Sequence, residues 1–340
     1  LLEQGYTELY PPQEDAVKAG IIDGKSVLVS APTASGKTLT ATMAILSHLS
    51  KNKSKVIYLT PLRALASEKF EEFKKLEKIN QDQKIKVAIS TGDFNSNNHD
   101  LDDADIIILT NETMDAMMTF QKSWIYEIGL VVSDEIHLIG DSGRGPTLEM
   151  ILTRFKTGYV GKKPQIIALS ATISNSDELA EWLGCKLVES EWRPVPLSEA
   201  VYSNHTITNQ DRVESEGNLD RKRESRHKKA EIGLGLDTIE DQAQSLIFTM
   251  TRASSVATAT EAGKFVAKQL KKDELEKLIK ISKTILPKET EDQTKLVTKL
   301  ADMVKNGVAF HHAGLDQRCR TIIETEFKNG HIKLLTSTPT

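Results

Sequence analysis

The sequence predicts an α/β protein whose parallel strands are buried and flanked by helices. Short, continuously apolar runs recur along the chain, as strands buried on both faces require. Several of these runs end in small or polar residues and lead into a helical pattern, which gives the order strand, loop, helix. Two adjacent carboxylates, Asp134 and Glu135, directly follow one such run. These observations together favour an open parallel sheet with a ligand site where its strands end.

The loop after the first apolar run has the pattern of a phosphate-binding loop. Its residues are Ala31, Pro32, Thr33, Ala34, Ser35, Gly36, Lys37 and Thr38. Small residues let backbone N–H groups point at phosphate oxygens, and the helix that follows adds partial positive charge. In such a loop the lysine reaches the β- and γ-phosphates and the Thr38 hydroxyl binds Mg²⁺. Ala31 replaces the usual first glycine, and a turn that only starts a helix is the alternative. The context predicts a nucleoside triphosphate site.

Asp134 and Glu135 are the predicted catalytic carboxylates. They follow the apolar residues 129–133, about 100 residues after Lys37. In this position Asp134 is expected to hold Mg²⁺ through its water shell, and Glu135 to orient and deprotonate the attacking water. Adjacent acids are common on protein surfaces but not directly after a buried strand. This pair is the strongest functional signal in the sequence.

Gln13 is the predicted adenine contact. It lies after Pro11 and Pro12, in a helix that proline initiates, about twenty residues before the phosphate-binding loop. A glutamine amide can pair with both N6 and N7 of adenine. An ordinary surface glutamine is the alternative.

Three other predicted strands end in threonine followed by small or polar residues. These ends contain Thr60, Pro61 and Arg63; Thr91, Gly92 and Asp93; and Thr110, Asn111 and Glu112. Capping of the next helix is one explanation for the threonines. A row of donors to a sugar–phosphate backbone along one sheet edge is the other.

Composition limits the class of protein. A chain of 340 residues has room for two domains, at about 100–200 residues per domain. A net charge of −4 requires any nucleic-acid site to be a local basic groove. No apolar run is long enough to span a bilayer and no signal peptide is visible, so we expect a soluble, cytoplasmic protein with no membrane partner. Cys185 and Cys319 are expected to be reduced structural thiols.

The second part of the chain gives weaker signals. Two prolines in residues 192–196 mark a boundary near Glu191, which predicts a first domain of residues 1–191 and a second of residues 192–340. A polar insert at about residues 203–233 contains the basic run 221–229, read as a solvated loop or as a nucleic-acid contact. Residues 271–305 predict two surface helices. His311 and His312 are interpreted as hydrogen-bonded turn residues, with a metal site as the alternative.

The ordered motifs resemble those of a superfamily 2 helicase. They are Pro12 and Gln13 with residues 31–38, 60–66, 91–93, 110–112, 134–137 and 170–172. Residues 192–195, 310–315 and 338–340 look like the Ski-type branch. Residues 134–141 are similar to the archaeal DNA repair helicases of that branch, which are relatives of the helicase domain of polymerase theta. The resemblance covers essentially the whole chain.

This resemblance implies two RecA-like lobes with parallel sheets flanked by helices, ATP between the lobes and single-stranded nucleic acid across them. It implies that His137, Ser170 and Thr172 couple the ATP site to strand movement. The implied nucleic-acid contacts are Pro61, Arg63, Thr91, Gly92, Thr110, Asn111, Thr249 and His312. The implied activity is 3′-to-5′ movement that unwinds forked or 3′-tailed DNA, with replication or repair proteins as partners. An RNA helicase of the same branch and an ATP-gated clamp that does not unwind are the alternatives.

The family pattern also predicts that the second lobe is incomplete. The arginine motif that completes the ATP site in these enzymes has no counterpart up to Thr340. We therefore expect an exposed sheet edge near Leu334 and weak activity from residues 1–340 alone.

Overall fold

A computed structural model describes residues 8–78, 85–92, 99–159, 161–203, 206–209, 214–216, 229–286 and 294–338. The chain divides into two compact units, Leu1–Leu197 and Ser198–Thr340. Asp93, residues 221–228 of the basic run, Pro339 and Thr340 lie outside the described residues.

The first unit is built on a seven-stranded sheet in which every pairing is parallel. Its strands are β1 (Val27–Ser30), β2 (Lys55–Thr60), β3 (Val87–Ser90), β4 (Ile106–Thr110), β5 (Ile128–Ser133), β6 (Gln165–Ser170) and β7 (Lys186–Glu189). Their order across the sheet is β3-β4-β2-β5-β6-β1-β7. The predicted α/β class with a parallel sheet is confirmed.

Helices cover both faces of this sheet. They are α1 (Pro11–Ala19), α2 (Lys37–Lys51), α3 (Arg63–Phe73), α4 (His99–Asp102), α5 (Asn111–Thr119), α6 (Gly145–Thr157) and α7 (Ser176–Leu183). Alternate residues of β2 enter different cores: Val56 and Tyr58 pack with Phe73 on one face, whereas Ile57 and Leu59 pack on the other. Both faces of the sheet are therefore buried, which explains why the strands are apolar throughout.

Two small sheets are formed by the described residues of the second unit. A parallel sheet of order β11-β13-β12 comprises β11 (Ser245–Phe248), β12 (Val308–His311) and β13 (Leu334–Ser337). An antiparallel sheet comprises β8 (Ala200–Ser203), β9 (Thr206–Asn209) and β10 (Glu214–Glu216), so part of the predicted polar insert forms strands. The helices are α8 (Ala230–Glu240), α9 (Arg252–Val266), α10 (Lys272–Ile285), α11 (Lys295–Lys305) and α12 (Gln317–Lys328).

One expectation for the second unit is wrong. β13 is the middle strand and pairs with both β11 and β12, so Leu334 is buried rather than next to an open edge. The two surface helices expected in residues 271–305 are confirmed as α10 and α11. Each has an exposed face and buries one apolar stripe, which includes Leu278 in α10 and Leu300 in α11, in the core of this unit.

Both cysteines are free thiols in regions of ordinary packing. Burial raises the pKa of Cys185 to about 12 and that of Cys319 to about 11. Among the helices in the described ranges, none is long and apolar enough to cross a bilayer.

Candidate functional site

The functional residues that the sequence predicted for the first unit lie at or after the carboxyl ends of the strands of the seven-stranded sheet. The adjacent strands β1, β6 and β5 lead into the phosphate-binding loop, into Ser170 to Thr172 and into the Asp134–Glu135 pair. The adjacent strands β2, β4 and β3 lead into the three threonine-containing ends. One edge therefore has a predicted nucleotide half and a predicted nucleic-acid half, which meet between β5 and β2.

The phosphate-binding loop wraps around the Lys37 ammonium. Its Nζ donates to the carbonyl oxygens of Ala31 at 2.7 Å and Pro32 at 3.0 Å. The Ala31 N–H donates to Ser170 O, which ties the loop to β6. The Ser35 hydroxyl is buried and has no hydrogen-bond partner among the described residues. A buried hydroxyl in this position suits a phosphate oxygen as its partner.

Gln13 links α1 to the phosphate-binding loop. Its Oε1 accepts from the Tyr10 N–H at 2.9 Å, and its Nε2 donates to Gly36 O at 3.2 Å. Gly36 has a φ of +85°, and a Cβ there would lie 2.0 Å from Gln13 Nε2. Both the backbone conformation and the close approach therefore require glycine. The sequence placed Gln13 at the site but did not predict this loop contact.

An aromatic pair that the sequence analysis did not single out lies beside Gln13. The rings of Tyr10 and Trp192 are tilted, with centroids 4.5 Å apart. The neighbouring Arg193 is close enough to affect Lys37. Burial lowers the pKa of Lys37, the charge of Arg193 adds to that effect, and the carboxylates of Glu135 and Asp134 oppose it.

The Thr38 hydroxyl has a cationic neighbour. Lys69 Nζ donates to Thr38 Oγ1 at 2.6 Å and also pairs with Glu72 Oε2 at 3.0 Å. Lys69 is buried, so this contact is well defined by packing. The hydroxyl oxygen keeps a second lone pair. Hydroxyl and carboxylate oxygens are the hard ligands that Mg²⁺ prefers, so the chemistry of Thr38 and Asp134 fits this ion.

The Asp134 carboxylate is fixed from two sides. Its Oδ2 accepts from the Tyr58 hydroxyl at 2.8 Å and its Oδ1 from the Glu135 N–H at 3.0 Å. Burial raises the pKa of Tyr58 well above its usual value, and the charge of Asp134 adds to this. Tyr58 therefore keeps its proton and donates it to the carboxylate. Sequence reasoning missed this role because Tyr58 belongs to an apolar strand.

Glu135, His137 and the segment after β6 lie together. Glu135 has a left-handed backbone, with a φ of +51°. Its Oε2 lies 3.4 Å from His137 Nδ1, and the same nitrogen lies 3.4 Å from the Ala171 N–H. Nδ1 cannot donate to Glu135 and accept from Ala171 at once, so the two contacts are alternatives. The structure therefore places His137 next to Ala171, which lies between the predicted coupling residues Ser170 and Thr172. Ser170 is buried and Thr172 is exposed.

A cleft of about 930 Å³ lies at the other half of the edge. Its lining includes Pro61, Arg63, Thr91, Gly92 and Thr110, which the sequence placed in one row. The Thr110 side chain accepts from the Thr113 N–H and caps α5, so the capping explanation holds at this position.

The remaining predicted contact residues lie elsewhere. Asn111 is buried at the start of α5, and its Oδ1 has no partner among the described residues. Thr249 and His312 belong to the second unit. The Thr249 N–H donates to Ser337 O at 2.8 Å, and buried His312 accepts from the Gly314 N–H at 3.1 Å. Burial lowers the pKa of His312, and the charge of Arg252 adds to this.

Comparison with known proteins gives the family. Residues 10–179 match the family model described as DEAD/DEAH box helicase. The chain is 42% identical over 338 residues to an ATP-dependent DNA helicase Hel308 from Thermococcus kodakarensis, covering 99% of this chain and 28% of that protein. It is 42% identical over 340 residues to Hel308 from Pyrococcus horikoshii, covering 100% of the chain and 44% of the relative.

A third relative is Hel308 from Methanocella arvoryzae, 40% identical over 337 residues, which is 99% of this chain and 44% of that protein. The chain thus spans less than half the length of these relatives. The family model covers half of the chain and includes Gln13, the phosphate-binding loop and the acid pair. By sequence, fold and site, the chain belongs to the DEAD/DEAH box helicase family.

Proposed function

We propose that the protein containing this chain is an ATP-dependent DNA helicase that moves 3′ to 5′ and unwinds forked or 3′-tailed DNA, in replication-fork repair or recombination. One observation carries the proposal: a phosphate-binding loop, an acid pair and a basic cleft share one edge of one sheet. The similar proteins are named ATP-dependent DNA helicases, which supports DNA as the substrate. We place its action in the cytoplasm at the nucleoid, with replication or repair proteins as partners.

In this proposal the first unit carries the hydrolytic side of the ATP site. Lys37 leaves its loop carbonyls to bind the β- and γ-phosphates, and Gln13 and Gly36 hold the loop in shape. Glu135 orients the attacking water and takes its proton. Thr38 and Asp134 hold Mg²⁺, which when bound neutralises charge on the phosphates. Tyr58 keeps the Asp134 carboxylate oriented through its 2.8 Å hydrogen bond.

Coupling to the strand is assigned to His137, Ser170 and Thr172. The support is the choice at His137 Nδ1, which contacts either the Glu135 carboxylate or the Ala171 N–H. A change of charge near Glu135 alters the balance between these contacts, and Ala171 lies between Ser170 and Thr172. This is a local two-state element of the kind that coupling needs.

The nucleic-acid track is assigned to the cleft edge. Arg63 supplies a charged phosphate contact, and Gly92 lets the backbone approach closely. The helices α3 and α5 begin at this edge, and their first N–H groups add partial positive charge. Pro61 and Thr91 line the same cleft, and Asn111 is proposed to contribute from the start of α5. Thr249 and His312 are proposed to contribute from the second unit.

Strand displacement by the full-length protein tests this function. Three substrates are compared, namely 3′-tailed DNA, 5′-tailed DNA and matching 3′-tailed RNA, with Glu135→Gln as the inactive control. We expect ATP-dependent displacement of the 3′-tailed DNA alone. Preference for the RNA would establish an RNA helicase instead. ATP-dependent binding without displacement of any substrate would establish a clamp.

A further inference from the structure

The cleft at the ends of β2, β3 and β4 has an apolar side that phosphate contacts do not explain. One face of α5 lines it through Thr113, Ala116, Met117 and the following Phe120, which are spaced i, i+3, i+4 and i+7. Phe120 has 63% of its surface exposed, although it lies beside a sheet edge of polar residues. Leu62 adds a further apolar contact surface.

The charges around this apolar side are mostly positive. Arg63, Lys122 and Arg144 line the cleft, whereas Glu112 is its one carboxylate among the described lining residues. A phosphate gains from the three cations but finds few hydrogen-bond donors against leucine, methionine and phenylalanine side chains. A nucleobase is uncharged and has a π-face that suits an aromatic ring and a guanidinium. The lining thus fits a strand whose phosphates lie at the cations and whose base enters the cleft.

Two features make room for such a base. Gly92 has a φ of +98°, and a Cβ there would lie 3.3 Å from Arg63 Nη2. The guanidinium therefore lies directly against this backbone, where a side chain would crowd it. The cavity of about 930 Å³ lies within the range of about 300–1,000 Å³ that ligand pockets occupy.

We propose that this cleft is a base-binding site in which one unstacked nucleobase of the bound single strand stacks on the Phe120 ring. Arg63 then holds a flanking phosphate, and Met117 and Leu62 contact the edge of the base. The proposal rests on the proposed function, because it needs single-stranded DNA along this sheet edge. It adds a sequence-tolerant base contact to a track assigned above to phosphates.

A single abasic residue, moved one position at a time through an oligothymidylate strand, tests the site. The affinity of the full-length protein is measured for each strand at one salt concentration. In the unaltered protein we expect one position where loss of the base weakens binding about 5- to 150-fold, the range of base–aromatic stacking. In Phe120→Ala that position should lose its sensitivity, and Phe120→Trp should restore it.

Matched variants separate this site from general effects. Tyr126→Ala removes another exposed aromatic ring that does not line the cleft, and it should leave the abasic profile unchanged. Arg63→Ala should weaken binding of intact and abasic strands by the same factor. An abasic profile that is the same in the unaltered protein and in Phe120→Ala would overturn the base site while leaving DNA binding intact. Failure of the unaltered protein to bind single-stranded DNA would overturn the proposed function as well.

Discussion

The ammonium of Lys69 lies 2.6 Å from the hydroxyl oxygen of Thr38 and joins α3 to the first turn of α2. Lys69 also pairs with Glu72 one turn further along its own helix. A charged donor on the threonine oxygen occupies one of its two lone pairs and restrains the position of the hydroxyl group. The orientation of the proposed Mg²⁺ ligand therefore depends on a residue from a different helix.

Replacing Lys69 by methionine should destabilise the first unit. Methionine keeps the apolar stem but removes the donor to Thr38 and the pair with Glu72, so we expect the free energy of unfolding to fall by about 1–3 kcal/mol. Chemical denaturation measures this. Lys18→Met, at an exposed pair with Glu14, is the control and should leave the denaturation midpoint unchanged. Equal midpoints for the two variants would show that the Lys69 contact contributes nothing.

Glu135→Gln should abolish turnover but retain nucleotide binding. The amide still hydrogen-bonds water but cannot accept its proton, and general base catalysis contributes about 10²–10⁴-fold. We expect ATP hydrolysis by the full-length protein to fall at least about 100-fold, with nucleotide affinity unchanged within about twofold. Lys37→Ala should reduce both the rate of ATP hydrolysis and the affinity for nucleotide. Glu178→Gln, in an exposed position of α7, is the control. Turnover at the unaltered rate would remove Glu135 from the role of base.

Arg63→Ala should reduce the salt dependence of single-strand binding. Loss of one phosphate contact makes the slope of log K against log salt concentration less negative by roughly one, for every base sequence alike. Titrations at several salt concentrations measure the slope. Arg154→Ala is the control, because its guanidinium pairs with Asp115 at 3.2 Å and does not line the cleft. A defect limited to certain sequences would contradict a backbone contact.

Gly36→Ala should damage the phosphate-binding loop in a way that Gln13→Ala partly relieves. The new methyl group would meet Gln13 Nε2, and the left-handed backbone would be strained even without that clash. In a double-mutant cycle, nucleotide affinity in Gly36→Ala/Gln13→Ala should exceed the value expected from adding the two single effects. Strict additivity would mean that the backbone conformation alone requires the glycine.

His48 should make stability fall in mild acid. Burial lowers the pKa of His48 below its usual 6.5, so the unfolded chain binds this proton more readily than the folded chain does. The resulting loss of stability is absent at high pH and begins as the pH falls below about 6.5. His48→Gln keeps a hydrogen-bonding partner for the Ser54 hydroxyl and should give a flatter decline of the free energy of unfolding in that range. If the free energy of unfolding falls equally steeply with pH in the unaltered protein and in His48→Gln, His48 does not contribute to the loss of stability in mild acid.

Local patterns made much of the first unit predictable. Buried parallel strands are apolar throughout, so their runs identify them. The observed β5 (Ile128–Ser133) agrees within one residue with the expected run of residues 129–133. The loop of residues 31–38 could be singled out because its predicted chemistry depends on adjacent residues. Lys69 and Tyr58 were not, because each belongs to an ordinary helix or strand pattern and acts on a partner 31 or 76 residues away.

The second unit shows the same limit more clearly. The strand at Leu334 was recognised, but its place between β11 and β12 is a property of the tertiary fold that no local pattern records. The helices α10 and α11 were predicted, but the core that Leu278 and Leu300 join is likewise a property of the tertiary fold. Phe120 belongs to no recognised motif and is distant in sequence from Arg63, so the cleft that both residues line could not be read from the sequence.

The position of β1 has a consequence for how the protein is made. This strand is the first of the sheet to leave the ribosome, yet it pairs with β6 and β7, the last two. Roughly 135 residues separate Ser30 from Gln165, and at about 5–20 residues per second their synthesis takes about 7–27 s. During that time β1 lacks both of these neighbours. The phosphate-binding loop, which directly follows β1, is therefore among the last parts of the first unit to take shape. Throughout that interval β1 of the nascent chain can pair with a wrong strand.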